Sequence, residues 1–127
     1  MFLVRRPEVE NRRSEGAPLF QHATMDIKQL TDEMNQFVEA KGWYRPDSRA
    51  PQTPRNIATS LAIEAAEVLE HFQWSETTRR PPELAGELAD VALYLLQLAY
   101  LQDIDLEQAI LDKLAVNYRR VWPEDAA

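Results

Sequence analysis

From Asp26 onward the apolar residues recur at helical spacing. Ile27, Leu30, Met34 and Phe37 fall three or four positions apart and Gly42 closes the run, which predicts a first helix. The next stretch, WYRPDSRAPQTP from Trp43 to Pro54, holds three prolines and no period. It predicts a loop, long enough to carry function. Thr53-Pro54 is an N-cap followed by proline at the first helical position, and it opens a second helix running to about Phe72. SETTRRPP breaks the pattern again. Pro81-Pro82 then starts a third helix reaching about Gln102, and Asp105 followed by Gln108 resembles a capping box that launches a fourth, ending near Arg120. Neither strand alternation, an internal repeat nor a GxGxxG turn interrupts this order. The pattern predicts an all-α domain, a four-helix bundle with neighbours mostly antiparallel.

Composition narrows the picture. A chain of 127 residues with 45% hydrophobic and 28% charged residues reads as one ordinary globular domain. Residues 1–24, with four Arg, three Glu, two Pro and little periodicity, predict an irregular N-terminal extension. The patterned domain spans 25–123, and 124–127 form a tail. Cysteine is absent, so disulfides and thiolate metal sites are excluded. The net charge of −7 argues against a nucleic-acid polymer as partner. The N-terminus lacks an apolar h-region, and the run VALYLLQLAYL (Val91 to Leu101) is about half a membrane span. No membrane segment is expected, and a cytoplasmic location is.

The second and third helices carry an anomaly. Ile57, Leu61, Glu64 and Val68 share one stripe, which puts Glu64 where apolar residues belong, and Glu67 lies beside it at i+3. In ELAD, Glu87 and Asp90 repeat that spacing among Leu84, Leu88 and Val91. No Lys or Arg lies between Asn56 and Thr78, nor between Pro81 and Asp112. Two carboxylates about 6 Å apart repel by roughly 3 kcal/mol at an effective dielectric near 20. Four of them converging on one spot would need protons, basic residues from elsewhere, or cations. An all-oxygen donor set suits Mg²⁺, Mn²⁺ or Ca²⁺. The alternative is that the acids are solvated positions on amphipathic helices, as single Glu residues usually are. A di-iron bundle would need Glu-x-x-His on two helices. The histidines are His22 and His71, and His71 has no counterpart in the third helix.

The spacing E-x-x-E, 19 residues, E-x-x-D resembles the metal motif of the MazG-like all-α nucleoside-triphosphate pyrophosphohydrolases. TPRNIATSLAIEAAEVLEHFQW and ELADVALYLLQLAYLQDIDLEQAILDKLAVNYRR resemble the branch that contains the dCTP pyrophosphatases, and the likeness covers roughly Asp26 to Pro123. It implies Mg²⁺-dependent hydrolysis (Mn²⁺ as substitute) of a nucleoside triphosphate to monophosphate and pyrophosphate, on dCTP or modified nucleotides, as nucleotide-pool house-cleaning. Glu64, Glu67, Glu87 and Asp90 match the metal ligands and catalytic carboxylates. Lys113, Asn117 and Arg120 match phosphate-contacting positions, with Val121-Trp122-Pro123 replacing the family's Arg-Tyr-Pro ending. Trp43, Trp74 and Asn56 match base-pocket positions. Met34 stands where the animal enzymes have a pocket histidine, and the Trp43-to-Pro54 loop is longer than theirs.

Two other readings stand beside this one. A phosphoribosyl-ATP pyrophosphohydrolase would keep the fold and change the substrate. A non-catalytic helical assembly module would scatter the four acids over solvated faces. Assembly is expected in any case, because the third helix is apolar on more than one face through Val91, Leu93, Leu95, Leu96 and Leu98. The resemblance implies a homodimer or homotetramer.

Overall fold

The computed structural model describes residues 19–20 and 24–126. Among them the chain forms four α-helices and no strand: α1 (Ile27–Ala40), α2 (Pro54–Glu70), α3 (Pro81–Leu101) and α4 (Leu106–Arg119), followed by a single 3₁₀ turn at Pro123–Asp125. The all-α class and the element boundaries agree with the pattern to within two residues. The expected extension at 1–24 lies almost wholly outside the described residues.

Each helix begins where local chemistry satisfies its first N–H groups. Asp26 caps α1 by accepting from the Gln29 N–H at 2.8 Å, and Gln29 Oε1 accepts from the Asp26 N–H at 2.9 Å. That reciprocal capping box was not read in the sequence. The one expected at Asp105 is half formed. Its carboxylate accepts from the Gln108 N–H at 3.0 Å, but the Gln108 amide donates to Asp112 at 2.7 Å instead of returning to the cap. Thr53 Oγ1 caps α2 through the Asn56 N–H at 3.2 Å, with Pro54 first in the helix. Prolines also open α3, where Arg80 pairs with Glu83 in the first turn at 2.6 Å.

Gly42 ends α1 in the left-handed region, at φ 72°. The Gly42 N–H donates to Glu39 O at 2.9 Å and the Trp43 N–H to Val38 O at 3.1 Å, the paired bonds that close a helix on glycine. This stop aims Trp43 and Tyr44 back along the bundle.

Packing centres on α3, which lies against α2 over most of its length and against α1. Gln52, just before α2, reaches Gln97 late in α3, while His71 at the end of α2 reaches Glu87 early in α3. The two helices are therefore antiparallel. The buried apolar side chains are Met34 and Val38 of α1, Ile57 of α2, and Leu96 and Ala99 of α3. No large described side chain falls below 2% exposure. The bundle is less even than expected, because α4 buries none of its residues and leans only lightly on α1. Ile110, Leu111, Leu114 and Val116 stay between 42% and 54% exposed.

By length and composition alone, the 21 residues of α3 would suffice to cross a membrane. The expectation of no such segment rested on the shorter Val91–Leu101 run. Within the bundle, α3 turns Glu87 to His71 and Gln97 to Gln52, while Leu88, Leu93, Leu95 and Tyr100 stay between 42% and 51% exposed.

Candidate functional site

A cavity of about 750 Å³ opens between α1, α2, α3 and the loop 43–53. Its apolar wall includes Leu30, Met34 and Phe37 of α1, Trp43, Ile57 of α2 and Leu93 of α3. Trp43 meets Phe37 edge to face, ring centres 5.6 Å apart at 89°. Polar groups interrupt that wall: Glu64 from α2, Asp90 and Gln97 from α3, Glu33 from α1, and Gln52 and Asn56 from the loop and the start of α2. Leu19 and Phe20, which the sequence assigned to the extension, also border the cavity.

Of the four motif acids, Glu64 and Asp90 share this cavity and both are half-buried. Glu67 is half-buried, Glu87 is buried at 9% exposure, and neither lines the cavity. Residues at i, i+3 are offset by about 4.5 Å along a helix axis. In the antiparallel pair, that offset moves Glu67 and Glu87 together to the level beyond Glu64 and Asp90. The cavity thus brings Glu64 and Asp90 together, and Glu67 and Glu87 follow one level along the two helices. Among the described residues, no three His, Asp or Glu side chains form a group able to hold a metal ion. Nor are the acids scattered over water. Glu64, Glu67 and Asp90 each make interactions of their own, and Glu87 is paired.

The partner of Glu87 is a residue the sequence reading left without a role. His71, the C-cap of α2, hydrogen-bonds Glu87 Oε2 through Nε2. Its Nδ1 lies 2.7 Å from Thr78 Oγ1. Thr78 Oγ1 accepts from the Arg80 N–H at 3.1 Å, and in a neutral ring whose Nε2 proton faces the carboxylate, Nδ1 accepts from the Thr78 hydroxyl. A backbone N–H, a hydroxyl, an imidazole and a carboxylate follow in one line, tying the break between α2 and α3 to the motif acid. The EHFQW segment was the only signal for this. It showed a histidine near the acids but not that the chain would fold it onto Glu87.

Other expected residues lie apart. Asn56 and Trp43 are in the cavity wall, whereas Trp74 is 89% exposed and outside it. Lys113, Asn117 and Arg120 lie on or just beyond α4 and do not line the cavity. Arg120 stacks its guanidinium on the Trp122 ring at 4.3 Å, and Trp122 Nε1 donates to Asn117 O at 3.2 Å. The Val-Trp-Pro ending thereby sets its ring against the arginine.

The donor chemistry at the wall fits a hard divalent ion. Mg²⁺ is commonly held by one or two carboxylates, with phosphate oxygens and water completing the shell. Glu64 and Asp90 meet that requirement.

No family model matches the chain. It is similar to dCTP pyrophosphatase 1 of Mus musculus and of Homo sapiens, 37% identical over 76 residues in each case, covering 53% of this chain and 45% of theirs. The chain thus spans less than half the length of these curated relatives. A segment of 38 residues is 55% identical to a dATP/dGTP diphosphohydrolase of Salmonella phage PMBT28, covering 30% of this chain and 13% of that protein. Among solved structures, a pyrophosphatase from Archaeoglobus fulgidus DSM 4304 superposes with a TM-score of 0.63 at 34% identity, over 77% of this chain and 94% of that one.

Proposed function

This chain belongs to the MazG-like all-α nucleoside-triphosphate pyrophosphohydrolases, on their dCTP pyrophosphatase-like side, and we propose that it hydrolyses a nucleoside triphosphate to the monophosphate and pyrophosphate. The observation that carries the reading is the pairing of Glu64 and Asp90, from two helices, in the wall of one cavity that also holds Trp43 and Asn56.

Glu64 and Asp90, with Glu67 and Glu87 beyond them, would hold Mg²⁺, or Mn²⁺ in its place. Such an ion polarises phosphate oxygens and offsets charge developing at the α-phosphorus. The chain's own residues do the rest. One of the carboxylates orients the attacking water and takes its proton as the water oxygen bonds to the α-phosphorus and the α–β bridge breaks. His71 keeps Glu87 in one rotamer, as hydrogen-bonded partners of ligating carboxylates do. Trp43 offers an aromatic face to the base and Asn56 a hydrogen-bonding edge. The cavity's apolar lining keeps bulk water from the base.

Lys113, Asn117, Arg120 and Trp74 belong to a homodimer or homotetramer in this proposal. A second copy brings α4 and the end of α2 to the triphosphate and the base. The exposed apolar residues of α4 support that assembly. The proposal includes a cytoplasmic role in the nucleotide pool, on dCTP or modified nucleotides.

The test is a panel of nucleoside triphosphates incubated with Mg²⁺, scoring pyrophosphate against orthophosphate. Pyrophosphate should be the first product, and Glu64→Gln or Asp90→Asn should slow its release about a hundredfold or more. Orthophosphate as first product, or full activity in both variants, would overturn the proposal.

A further inference from the structure

Beside the carboxylates, the cavity holds an amide whose direction the fold has fixed. Gln97 is 3% exposed and lines the cavity together with Gln52. An amide has a donating and an accepting end, and its neighbours' chemistry decides which faces where. The Ala50 carbonyl can only accept, so Gln52 Nε2 is the atom 2.6 Å from it. Gln52 Oε1 is then the end turned to α3, and Gln97 must meet it with Nε2, at 2.7 Å. The second N–H on that nitrogen goes to Tyr44 Oη at 3.4 Å. Tyr44 can accept it because its own proton is given to Asn35 Oδ1 at 2.5 Å. Both N–H bonds of Gln97 are spent. Oε1, which only accepts, is what this side chain has left to offer.

Asn56 repeats the device in weaker form. The Pro51 carbonyl holds its Nδ2 at 3.0 Å, turning Oδ1 the other way. Two successive loop carbonyls, of Ala50 and Pro51, therefore set the polarity of two amides in one cavity wall. Each is a one-way constraint, since a carbonyl cannot change ends.

We propose that Gln97, its amide locked by Gln52, determines which base the cavity admits: one presenting an exocyclic amino group, a 4-aminopyrimidine or a 6-aminopurine, over one presenting an oxo group there. This rests on the cavity receiving the base of a nucleotide, as argued above. An amino edge donates to Oε1. An oxo edge sets acceptor against acceptor and leaves both unpaired in a largely buried place, the kind of mismatch that sites built on a hydrogen bond reject most strongly.

The test uses dCMP and dUMP, which differ in that edge, titrated calorimetrically into the full-length protein without metal. The parent should bind dCMP about tenfold tighter or more. Gln52→Lys offers Gln97 a donor in place of an acceptor, so Gln97 turns Oε1 to the lysine and Nε2 to the cavity, and the preference should reverse to dUMP. Gln52→Ala combined with Tyr44→Phe removes both acceptors that lock the amide, and Gln97→Met removes the polar edge at similar volume. Each should bring the two affinities within about twofold. Circular dichroism identifies any variant that fails to fold, and the remaining ones decide. Equal binding of the two nucleotides by the parent, binding of neither, or an unchanged dCMP preference in the folded Gln52 variants would overturn the inference. Hydrolysis of dCTP and dUTP is followed separately. Cleavage without discrimination sinks this inference alone, whereas discrimination among monophosphates with no cleavage of any triphosphate sinks the catalytic proposal alone.

Discussion

Replacing His71 by leucine should be among the most costly single changes in the chain. The imidazole is 2% exposed and its Glu87 partner 12%, so water cannot replace either hydrogen bond that the ring makes. Losing the bond to the carboxylate costs about 1.5–3 kcal/mol, and losing the neutral one to Thr78 about 1 kcal/mol more. A total of roughly 3 kcal/mol is a large share of the 5–15 kcal/mol typical of a domain and lowers the midpoint by about 12–24 °C at this size. Thermal unfolding followed by circular dichroism, at one fixed protein concentration, measures it. Thr78→Val should cost about 1 kcal/mol, since it keeps the shape and loses only the hydroxyl proton. Adding Glu87→Met to His71→Leu should recover more than half of the loss, because removing both partners leaves no buried carboxylate without its donor. A midpoint for His71→Leu within 3 °C of the parent, roughly the shift of under 1 kcal/mol, would refute the reasoning, as would two losses that simply add.

Three further outcomes are expected. Burial pushes the Tyr44 phenol above its ordinary value, with the Gln97 hydrogen bond opposing in part. A raised acid binds its proton more tightly in the folded state, so stability should fall as pH rises past the ordinary tyrosine range near 10, and Tyr44→Phe should flatten that fall in unfolding titrations. Leu114→Glu places a charge among the exposed apolar residues of α4 and should reduce the mass found by sedimentation to that of one chain; a parent that is monomeric at all concentrations removes the basis for this. Trp74→Ala should leave the midpoint unchanged, since the ring is 89% exposed, yet raise KM for the triphosphate about tenfold if it stacks on the base across copies.

The helices were legible because their ends are written locally. Thr53-Pro54, Pro81-Pro82 and Asp105 act on N–H groups within three residues, and Gly42 supplies a backbone region other residues avoid. The capping box went astray at Asp105 because Gln108 had two partners within reach, Asp105 and Asp112, and the pattern could not rank them. The spacing of the acids was also legible, since i, i+3 is a property of one helix. What they face was not. Glu87 meets His71 only because the break at 72–80 folds back and anchors Thr78, and Gln97 meets Gln52 across 45 positions of chain. Arg120, matched to a phosphate by resemblance, stacks on Trp122, one of the two positions at which Val121-Trp122-Pro123 differs from the family's Arg-Tyr-Pro ending.

Met34, Val38 and Ile57, three of the five buried apolar side chains among the described residues, are also cavity residues. The interior and the binding space are therefore one region, shared rather than adjacent. A guest lodged there acts as missing filling for the whole molecule, and melting temperature becomes a gauge of occupancy. Heating scans against a shelf of small molecules would rank candidate guests before any reaction product is measured.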